Sequence, residues 1–285
     1  MARRVGAIEA GGTKIVCAAG SGPDDLEEAR FPTEDPESTL AKIVDFLGAQ
    51  GELEAIGIGT FGPAGINPHQ PESYGRILKT PKPGWEGADF LTPLRAKFGT
   101  KIPIHFDTDV NAAAFGEGKW GAAQDIHTFL YLTVGTGIGG GAIVDGRILH
   151  GALHPEIGHL KIPHDFGRDP YAGHCPFHHD CLEGLAAGPA IAERWGKPAR
   201  QLSPDHEAWD LEAHYLALAL TNLSLTLSPQ KIILGGGVMN QAQLFPLICE
   251  ALSLQLNGYL EPPEIAPPGL GDRAGILGAL ALAQR

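Results

Sequence analysis

Cysteine and histidine side chains crowd into one part of this 285-residue chain. Cys175 and Cys181, two of the four cysteines, stand three positions before and after His178, and His159 lies sixteen positions before Cys175. Thiolate and imidazole groups are the usual ligands of structural zinc, so these residues predict a Cys2His2 tetrahedron. A disulfide between the two cysteines and an incidental histidine-rich loop are the alternatives. The CxxC spacing of a redox pair is absent, because five residues separate the two cysteines.

A glycine turn between two apolar runs occurs over residues 5–19 and again over residues 128–148, and each pattern predicts a strand, a tight turn and a second strand. Residues 135–140 also satisfy G-x-G-x-x-G, but a strand follows where the dinucleotide-binding motif requires a helix. The N–H groups of an exposed turn can still bind an anion, and threonine hydroxyls beside the glycines suit phosphate oxygens. We therefore predict two phosphate loops, with plain hairpin turns as the alternative. Their residues are Gly11, Gly12, Thr13 and Lys14 in the first hairpin and Gly135, Thr136 and Gly137 in the second.

Asp109 stands at a predicted junction of strand and helix. The stretch IPIHFDTDVNAAAFGEGKWG, residues 102–121, predicts a strand that ends near Asp107 and a helix capped around Thr108 or Asp109. A carboxylate at the end of a strand can project into a cleft and accept a proton, but from spacing alone capping is the better explanation of Asp109. Asp107 is the competing carboxylate on the strand side.

Periodicity predicts the remaining elements. The first long helix is expected to be capped by Ser38 or Thr39, and a strand KIILG runs into the glycines at 235–237. Because the two hairpins lie about 120 residues apart, we expect an internal duplication of a βββαβα unit. Helical spacing is found at residues 38–49, 205–228, 241–257 and 272–285.

Composition disfavours several classes of protein. A net charge of −12 argues against a nucleic-acid surface, and an anionic membrane would repel the chain. There is no apolar stretch of about 18 residues, so we expect no membrane span, and the first residues lack the continuous apolar run of a signal peptide. Four cysteines make a poor disulfide framework for a chain of this length, which favours a reducing cytoplasm.

Several motifs, taken in order, resemble those of the ROK family of sugar kinases, and specifically its bacterial fructokinase branch. One departure is Glu9, since the first motif of the family usually begins with Asp. If this carboxylate holds Mg²⁺ through water, the longer side chain shifts the ion, and we expect function to survive. The motifs are EAGGTK, TFGPAG, TPKPGW, DTDVNAAAFGEGKWGAA, TVGTGIGGGAIVDG, HPEIGHL, CPFHHDCLEGLAAGPAI, KIILGGGVM and AGILGALALA.

The resemblance implies an α/β protein with the actin-like, ribonuclease-H-like ATPase fold. Two α/β domains would flank a cleft that holds ATP and the sugar. We expect a small domain of residues 1–112 completed by residues 272–285, and a large domain of residues 113–271 that carries the zinc loop. A cytoplasmic homodimer is expected, with no nucleic-acid or membrane partner.

The resemblance also implies a reaction, in which a phosphoryl group passes from ATP, with Mg²⁺, to the 6-hydroxyl of D-fructose. Asp109 would be the general base. ATP would contact the two glycine loops, Pro189, Gly235, Gly236 and Gly237. The sugar would contact Gly62, Pro63, Asp109, Glu156, His159 and Glu183. A solvated charge at a helix start explains Glu183 nearly as well.

The same resemblance makes the zinc structural. The family's zinc site matches His159 and the loop of Cys175, His178 and Cys181, with His179 and His174 as alternative fourth ligands. In the family the E-x-x-H pair contacts sugar hydroxyls while its histidine also binds the metal, which couples the metal to substrate alignment.

Other functions fit parts of the sequence. A mannokinase, glucokinase or N-acetylmannosamine kinase of the same family would share the fold, but such enzymes tend to lack TPKPGW and carry a C-x-C-G loop in place of CPFHHDC. Sugar-sensing regulators without catalysis carry an additional N-terminal DNA-binding domain, whereas this sequence starts at the first phosphate-loop strand. A purely structural zinc protein would leave the glycine hairpins and Asp109 unexplained.

Overall fold

A computed structural model describes residues 4–285 of the chain. Contacts group these residues into two compact units, each with a five-stranded sheet. The first unit comprises the residues up to Gln124, together with Ile148–Pro155 and Gly269–Arg285. The second unit comprises Asp125–Arg147 and Glu156–Pro268.

Strands and α-helices alternate along the described residues as expected for an α/β protein. The strands are β1 Val5–Ala10, β2 Lys14–Gly20, β3 Glu27–Pro32, β4 Ile56–Thr60, β5 Ile104–Thr108, β6 Phe129–Val134, β7 Ile138–Val144, β8 Arg147–Ile148, β9 Lys231–Gly235 and β10 Glu264–Ala266. The helices are α1 Pro36–Gly48, α2 Leu91–Phe98, α3 Asp109–Trp120, α4 Leu182–Ala186, α5 Gly188–Trp195, α6 Ala208–Leu227, α7 Leu244–Leu256 and α8 Ala274–Ala283.

The sheet of the first unit has the order β3-β2-β1-β4-β5. Strand β1 is antiparallel to β2 and parallel to β4, and β4 is parallel to β5. Ile8 and Ala10 of β1 belong to one apolar cluster, whereas Val5 and Ala7 belong to another that includes residues of helix α8. Because β1 is buried on both faces, it lacks the polar alternation of a half-exposed strand.

Helix α8 is buried along its whole length and is apolar on all sides. A Cβ atom at Gly278 of α8 would lie 2.0 Å from the Ala112 carbonyl of α3, and a Cβ at Gly57 of β4 would lie 1.9 Å from the Ala279 carbonyl of α8. Only glycine permits backbones to approach this closely. The small residues therefore hold α3, which begins at Asp109, close to the sheet.

The sheet of the second unit has the order β10-β9-β6-β7-β8. Strand β6 is antiparallel to β7 and parallel to β9. Each unit thus contains a glycine hairpin, as the repeated pattern predicts, and in each the first strand of the hairpin also has a parallel neighbour on its other side. Within residues 4–285, none of the helices combines the length and apolar character that crossing a membrane requires.

Helix α1 begins two residues before the predicted start, and its cap differs from the prediction. The Asp35 carboxylate accepts a hydrogen bond from the Ser38 N–H at 3.0 Å, so the predicted cap at Ser38 or Thr39 is wrong. Pro36 explains the difference, because proline is favoured in the first helical turn and keeps the residue before it extended.

Candidate functional site

Predicted site residues of the first unit follow the ends of three neighbouring strands. In the sheet register Ala10 lies beside Thr60, and Thr60 lies beside Thr108. Ligands of α/β proteins bind at the carboxyl ends of parallel strands, so this edge is a natural site. Three predicted groups follow within two positions of these residues, namely Gly11–Lys14 after β1, Gly62 and Pro63 after β4, and Asp109 after β5.

Thr108, rather than Asp109, caps helix α3. Its hydroxyl accepts a hydrogen bond from the Asn111 N–H at 3.2 Å, and Asp109 is the first residue of the helix. Asp109 is half-buried, and one of its carboxylate oxygens accepts from the Val110 N–H at 2.8 Å. Thr108 is thus the N-cap residue, and Asp109, the first residue of the helix, accepts from one further N–H of the first turn.

Asp107, the competing carboxylate, is enclosed by the protein. It is 2% exposed. One oxygen accepts from the Asn111 side-chain amide at 2.7 Å, and the other lies 2.8 Å from His150 Nε2. A carboxylate with both oxygens engaged in this way is poorly placed to take a proton from a substrate.

Donors from distant residues hold the carbonyl groups of the first glycine hairpin. The Thr33 hydroxyl donates to the Gly11 carbonyl at 2.7 Å, and the Lys82 ammonium donates to the Gly12 carbonyl at 2.5 Å. Gly12, Thr13 and Lys14 are exposed. The half-buried carboxyl of Glu9 precedes this turn, and burial raises its pKa above the ordinary range, an effect that Lys14 and Arg30 partly offset.

The second glycine hairpin lies against the glycines that follow β9. A Cβ at Gly135 would be 3.8 Å from the Gly237 nitrogen, and the Gly188 N–H, just before Pro189, donates to the Gly135 carbonyl at 2.7 Å. Gly236 has a φ of 91°, and a Cβ there would lie 2.4 Å from the Val134 carbonyl. The structure thus brings together the nucleotide contacts predicted within the second unit.

The four predicted metal ligands converge. His159, Cys175, His178 and Cys181 each offer one donor atom, and these atoms lie within 4.8 Å of one another. His159 Nδ1 is 3.7 Å from Cys175 Sγ and 3.6 Å from Cys181 Sγ, close to the edge of about 3.6 Å that zinc–sulfur and zinc–nitrogen bond lengths give a tetrahedron. Both cysteines are free thiols, so the alternative of a disulfide is not realised.

The electrostatics of this cluster suit a cation. Cys175 and Cys181 are 1% and 0% exposed. Burial, together with the neighbouring Cys175, raises the pKa of the Cys181 thiol to about 11. Two buried thiols become thiolates at neutral pH when a metal ion supplies the missing positive charge. The donor set therefore fits zinc, which prefers sulfur and imidazole ligands.

The two other candidate histidines have different surroundings. His174 Nδ1 lies 2.8 Å from Glu193 Oε1. His179 adopts a left-handed φ of 56° and pairs through its backbone with Cys175, which closes the turn of the loop. A Cβ at Gly184 would lie 1.7 Å from the His179 carbonyl, so this loop also needs a glycine in α4.

Glu183 connects the loop that carries three of the candidate metal ligands (residues 175–181, the metal loop) to the second hairpin. It stands two positions after Cys181, and its Oε2 accepts a hydrogen bond from the Ile138 N–H at 2.9 Å. A Cβ at Gly137 would lie only 2.6 Å from that oxygen. Partial desolvation, and then the negative charge of Glu183, raise the pKa of Glu156 above its ordinary range, although Glu156 as a whole is exposed. The two predicted sugar carboxylates are therefore electrostatic neighbours.

Sequence reasoning missed the residues that hold these loops from a distance. Lys82 of TPKPGW contacts Gly12, and His154 of HPEIGHL accepts a hydrogen bond from the Ala64 N–H at 3.1 Å. The motifs themselves were visible, but the paired residues are 70 and 90 positions apart, beyond the reach of local patterns.

Comparison with known proteins gives a consistent result. A sequence model of the ROK family matches residues 5–285. The chain is 46% identical to a fructokinase of Pediococcus pentosaceus, with 98% of this chain and 97% of that protein covered. It is 42% identical to a fructokinase of Zymomonas mobilis, with 98% and 95% covered. Among solved structures, a ROK hexokinase of Thermus thermophilus is 31% identical to the chain and superposes with a TM-score of 0.82. The match covers 99% of this chain and 98% of the hexokinase.

Proposed function

The chain belongs to the ROK family and has its actin-like ATPase fold, and on that premise we propose that it is an ATP-dependent fructokinase. The reaction transfers the γ-phosphoryl group of ATP to the 6-hydroxyl of D-fructose. The observation that carries this proposal is the similarity to fructokinases along nearly the whole chain. The convergence of the predicted phosphate and base residues at the end of the first sheet supports it.

Asp109 is the proposed general base. Its carboxylate accepts the proton of the 6-hydroxyl as the oxygen attacks the γ-phosphorus, and the bond to the β–γ bridging oxygen breaks. Its place at the start of α3, with the helix capped by Thr108, supports this role. The N–H groups of the first hairpin, with the hydroxyl of Thr13 and the ammonium of Lys14, hold the phosphate oxygens.

Magnesium, when bound with ATP, neutralises the charge that develops on the phosphoryl oxygens. Glu9 is the carboxylate we place beside it, since its half-buried carboxyl with a raised pKa fits a site that gains a cation. The adenosine lies along the second hairpin, Pro189 and the glycines at 235–237, where small residues admit close approach to the backbone.

Glu156, His159 and Glu183 bind hydroxyls of the sugar, and Gly62 and Pro63 shape the pocket. Zinc held by His159, Cys175, His178 and Cys181 is structural, because four protein ligands leave no open position for water. Its role is to fix the 3-10 turn that carries His159 and the helix α4 that carries Glu183. We further propose that the protein is a homodimer, which light scattering can test, and that it is cytoplasmic, which cell fractionation can test.

A coupled assay of ADP release across fructose, mannose, glucose and N-acetylmannosamine, with ³¹P NMR of the product, tests the proposal. Fructose should give the highest kcat/KM. A sugar with one misplaced hydroxyl leaves a polar group unpaired, at a cost of roughly 1–3 kcal/mol, so mannose should be about ten- to a hundredfold poorer. A preference for glucose or N-acetylmannosamine, or phosphorylation at carbon 1, would contradict fructose 6-phosphorylation, and no turnover with any sugar would favour a sensing role.

A further inference from the structure

The segment Ile148–Pro155 belongs to the first compact unit, although the residues before and after it belong to the second. His154 of this segment is 8% exposed and contacts the turn after β4. Its Nε2 lies 3.1 Å from the Ala64 nitrogen, and its Cε1 lies 3.3 Å from the position of a Cβ on Gly62. The ring therefore bonds to one end of the Gly62–Pro63–Ala64 turn and lies beside the other.

This turn depends on outside partners for its hydrogen bonds. Pro63 has no N–H, and the Pro63 carbonyl accepts from the Leu78 N–H at 2.7 Å. Ala64 is 0% exposed, so its N–H has no access to water. A buried N–H must have an acceptor, and His154 Nε2 supplies it. The turn is thus held from two sides by residues that are distant in sequence.

The hydrogen bonds of His154 define the tautomer of its imidazole ring. Because Nε2 accepts a hydrogen bond, the proton of a neutral imidazole lies on Nδ1. The backbone of Pro155, whose only hydrogen-bonding group is its carbonyl, is the partner for that proton. Burial lowers the pKa of His154, which keeps the ring neutral and able to accept.

We infer that His154 is a positioning residue for the sugar, acting through the Gly62–Pro63 turn, an inference that rests on the proposed function. The ring fixes the position of this turn at the end of β4. The turn lies beside the start of the first glycine loop, because the Phe61 N–H donates to the Ala10 carbonyl at 2.8 Å. Loss of the acceptor on His154 should therefore weaken sugar binding more than ATP binding.

Three variants test this in the full-length enzyme. His154→Met keeps volume but removes the acceptor, and it should raise the KM for fructose by about tenfold or more with the KM for ATP unchanged. His154→Gln places a carbonyl oxygen where Nε2 was, so its KM for fructose should return to within about threefold of the original. His69→Met, at an exposed histidine of the same unit, is the matched control and should change neither constant.

A measurement on the unmodified protein covers the case in which His154→Met does not fold. Long-range ¹H–¹⁵N NMR of the histidine rings should show the Nδ1–H tautomer for His154, and an Nε2–H tautomer would overturn the inference. It would also be overturned by an unchanged KM for fructose in folded His154→Met, by parallel rises in both KM values, or by His154→Gln behaving like His154→Met. Failure of the proposed function would appear instead in the assay of the unmodified enzyme across the four sugars. The same three variants would then be assayed with whichever sugar the unmodified enzyme prefers.

Discussion

The two glycine hairpins share a sequence pattern but differ in what holds them. In the first hairpin, donors bind the carbonyl groups, through the Thr33 hydroxyl and the Lys82 ammonium. In the second, the Glu183 carboxylate binds the Ile138 N–H. A phosphate competes with a carboxylate for N–H groups, but it does not compete with donors that face carbonyls. The first hairpin can therefore bind an anion through the N–H groups on its exposed side. At one end of the second hairpin, by contrast, the Glu183 carboxylate already accepts from an N–H group.

The two ends of the second hairpin have different surroundings. Its Gly137 end lies against Glu183, where an added phosphate would meet like charge. Its Gly135 end lies against Gly237 and accepts from Gly188, where only backbone is near. Of the proposed nucleotide contacts Gly135, Thr136 and Gly137, the Gly135 end is therefore the one without a neighbouring negative charge.

The largest effect is expected from a change that touches neither hairpin. Asp109→Asn removes the proposed proton acceptor but keeps the size of the side chain, so both phosphate loops should remain intact. Turnover should fall by about 10²–10⁴-fold, the usual contribution of a general base, while calorimetry shows unchanged binding of MgADP. Asp125→Asn, at an exposed aspartate, is the control. Retained turnover in Asp109→Asn with loss in Asp107→Asn would transfer the role to Asp107.

The second largest effect is expected from removing the proposed zinc ion. Of the two hairpins, only the second should then open more readily. Mass spectrometry should find about one zinc per chain. Cys175→Ser should lower activity, and it should lower the melting temperature by about 5 °C or more, since metal binding is part of the folding free energy. Because α4 carries both the end of the metal loop and Glu183, hydrogen exchange at Ile138 should become faster, while exchange at Gly11 stays the same.

Cys249→Ser is the matched control for this experiment, because Cys249 is exposed and lies outside the metal cluster. A purified protein that contains no metal and keeps its activity in chelator would contradict a structural zinc site. Equal changes in exchange at both hairpins would contradict the connection through Glu183.

A smaller effect should follow from adding one methyl group to each hairpin. A Cβ at Gly137 would lie 2.6 Å from Glu183 Oε2, whereas a Cβ at Gly12 meets nothing within 4 Å. Gly137→Ala should therefore displace the Glu183 carboxylate from the Ile138 N–H and lower the free energy of unfolding by about 0.5–1.5 kcal/mol, the usual contribution of a hydrogen bond, and Gly12→Ala should lower it by less than about 0.5 kcal/mol. Denaturant titrations measure both. Equal losses would mean that the hairpins are equally constrained.

The smallest effect concerns Glu9, beside the first hairpin. Burial raises the pKa of this carboxyl above the model-peptide value of 4.5, so the folded protein binds the proton more tightly than the unfolded chain. The free energy of unfolding should then decrease as pH rises from about 4.5 through the raised folded pKa. Glu9→Gln should show a smaller decrease, because other carboxyls with raised pKa values such as Glu156 remain, and the exposed Glu72→Gln should retain the full decrease. Parallel stability curves for all three proteins would contradict the shift.

Local patterns were sufficient for much of this protein. Both hairpins, the long helices and the strand that leads into α3 lie where alternation and helical spacing predict them, because each pattern is completed within a few neighbouring residues. The convergence of the four candidate metal ligands was also predictable, since three of them stand within seven positions of one another. Chemistry that is compact in sequence is visible without the fold.

Partners that are distant in sequence were not predictable in this way. Spacing left Thr108 and Asp109 as equal candidates for the cap, and the folded chain assigns it to Thr108. The contact of Glu183 with Ile138 and that of His154 with Ala64 join residues 45 and 90 positions apart. Such pairs depend on strand register and on the course of loops, which are set by burial over a whole unit. The residues that build each turn are therefore local, whereas the residues that orient it are specified by packing.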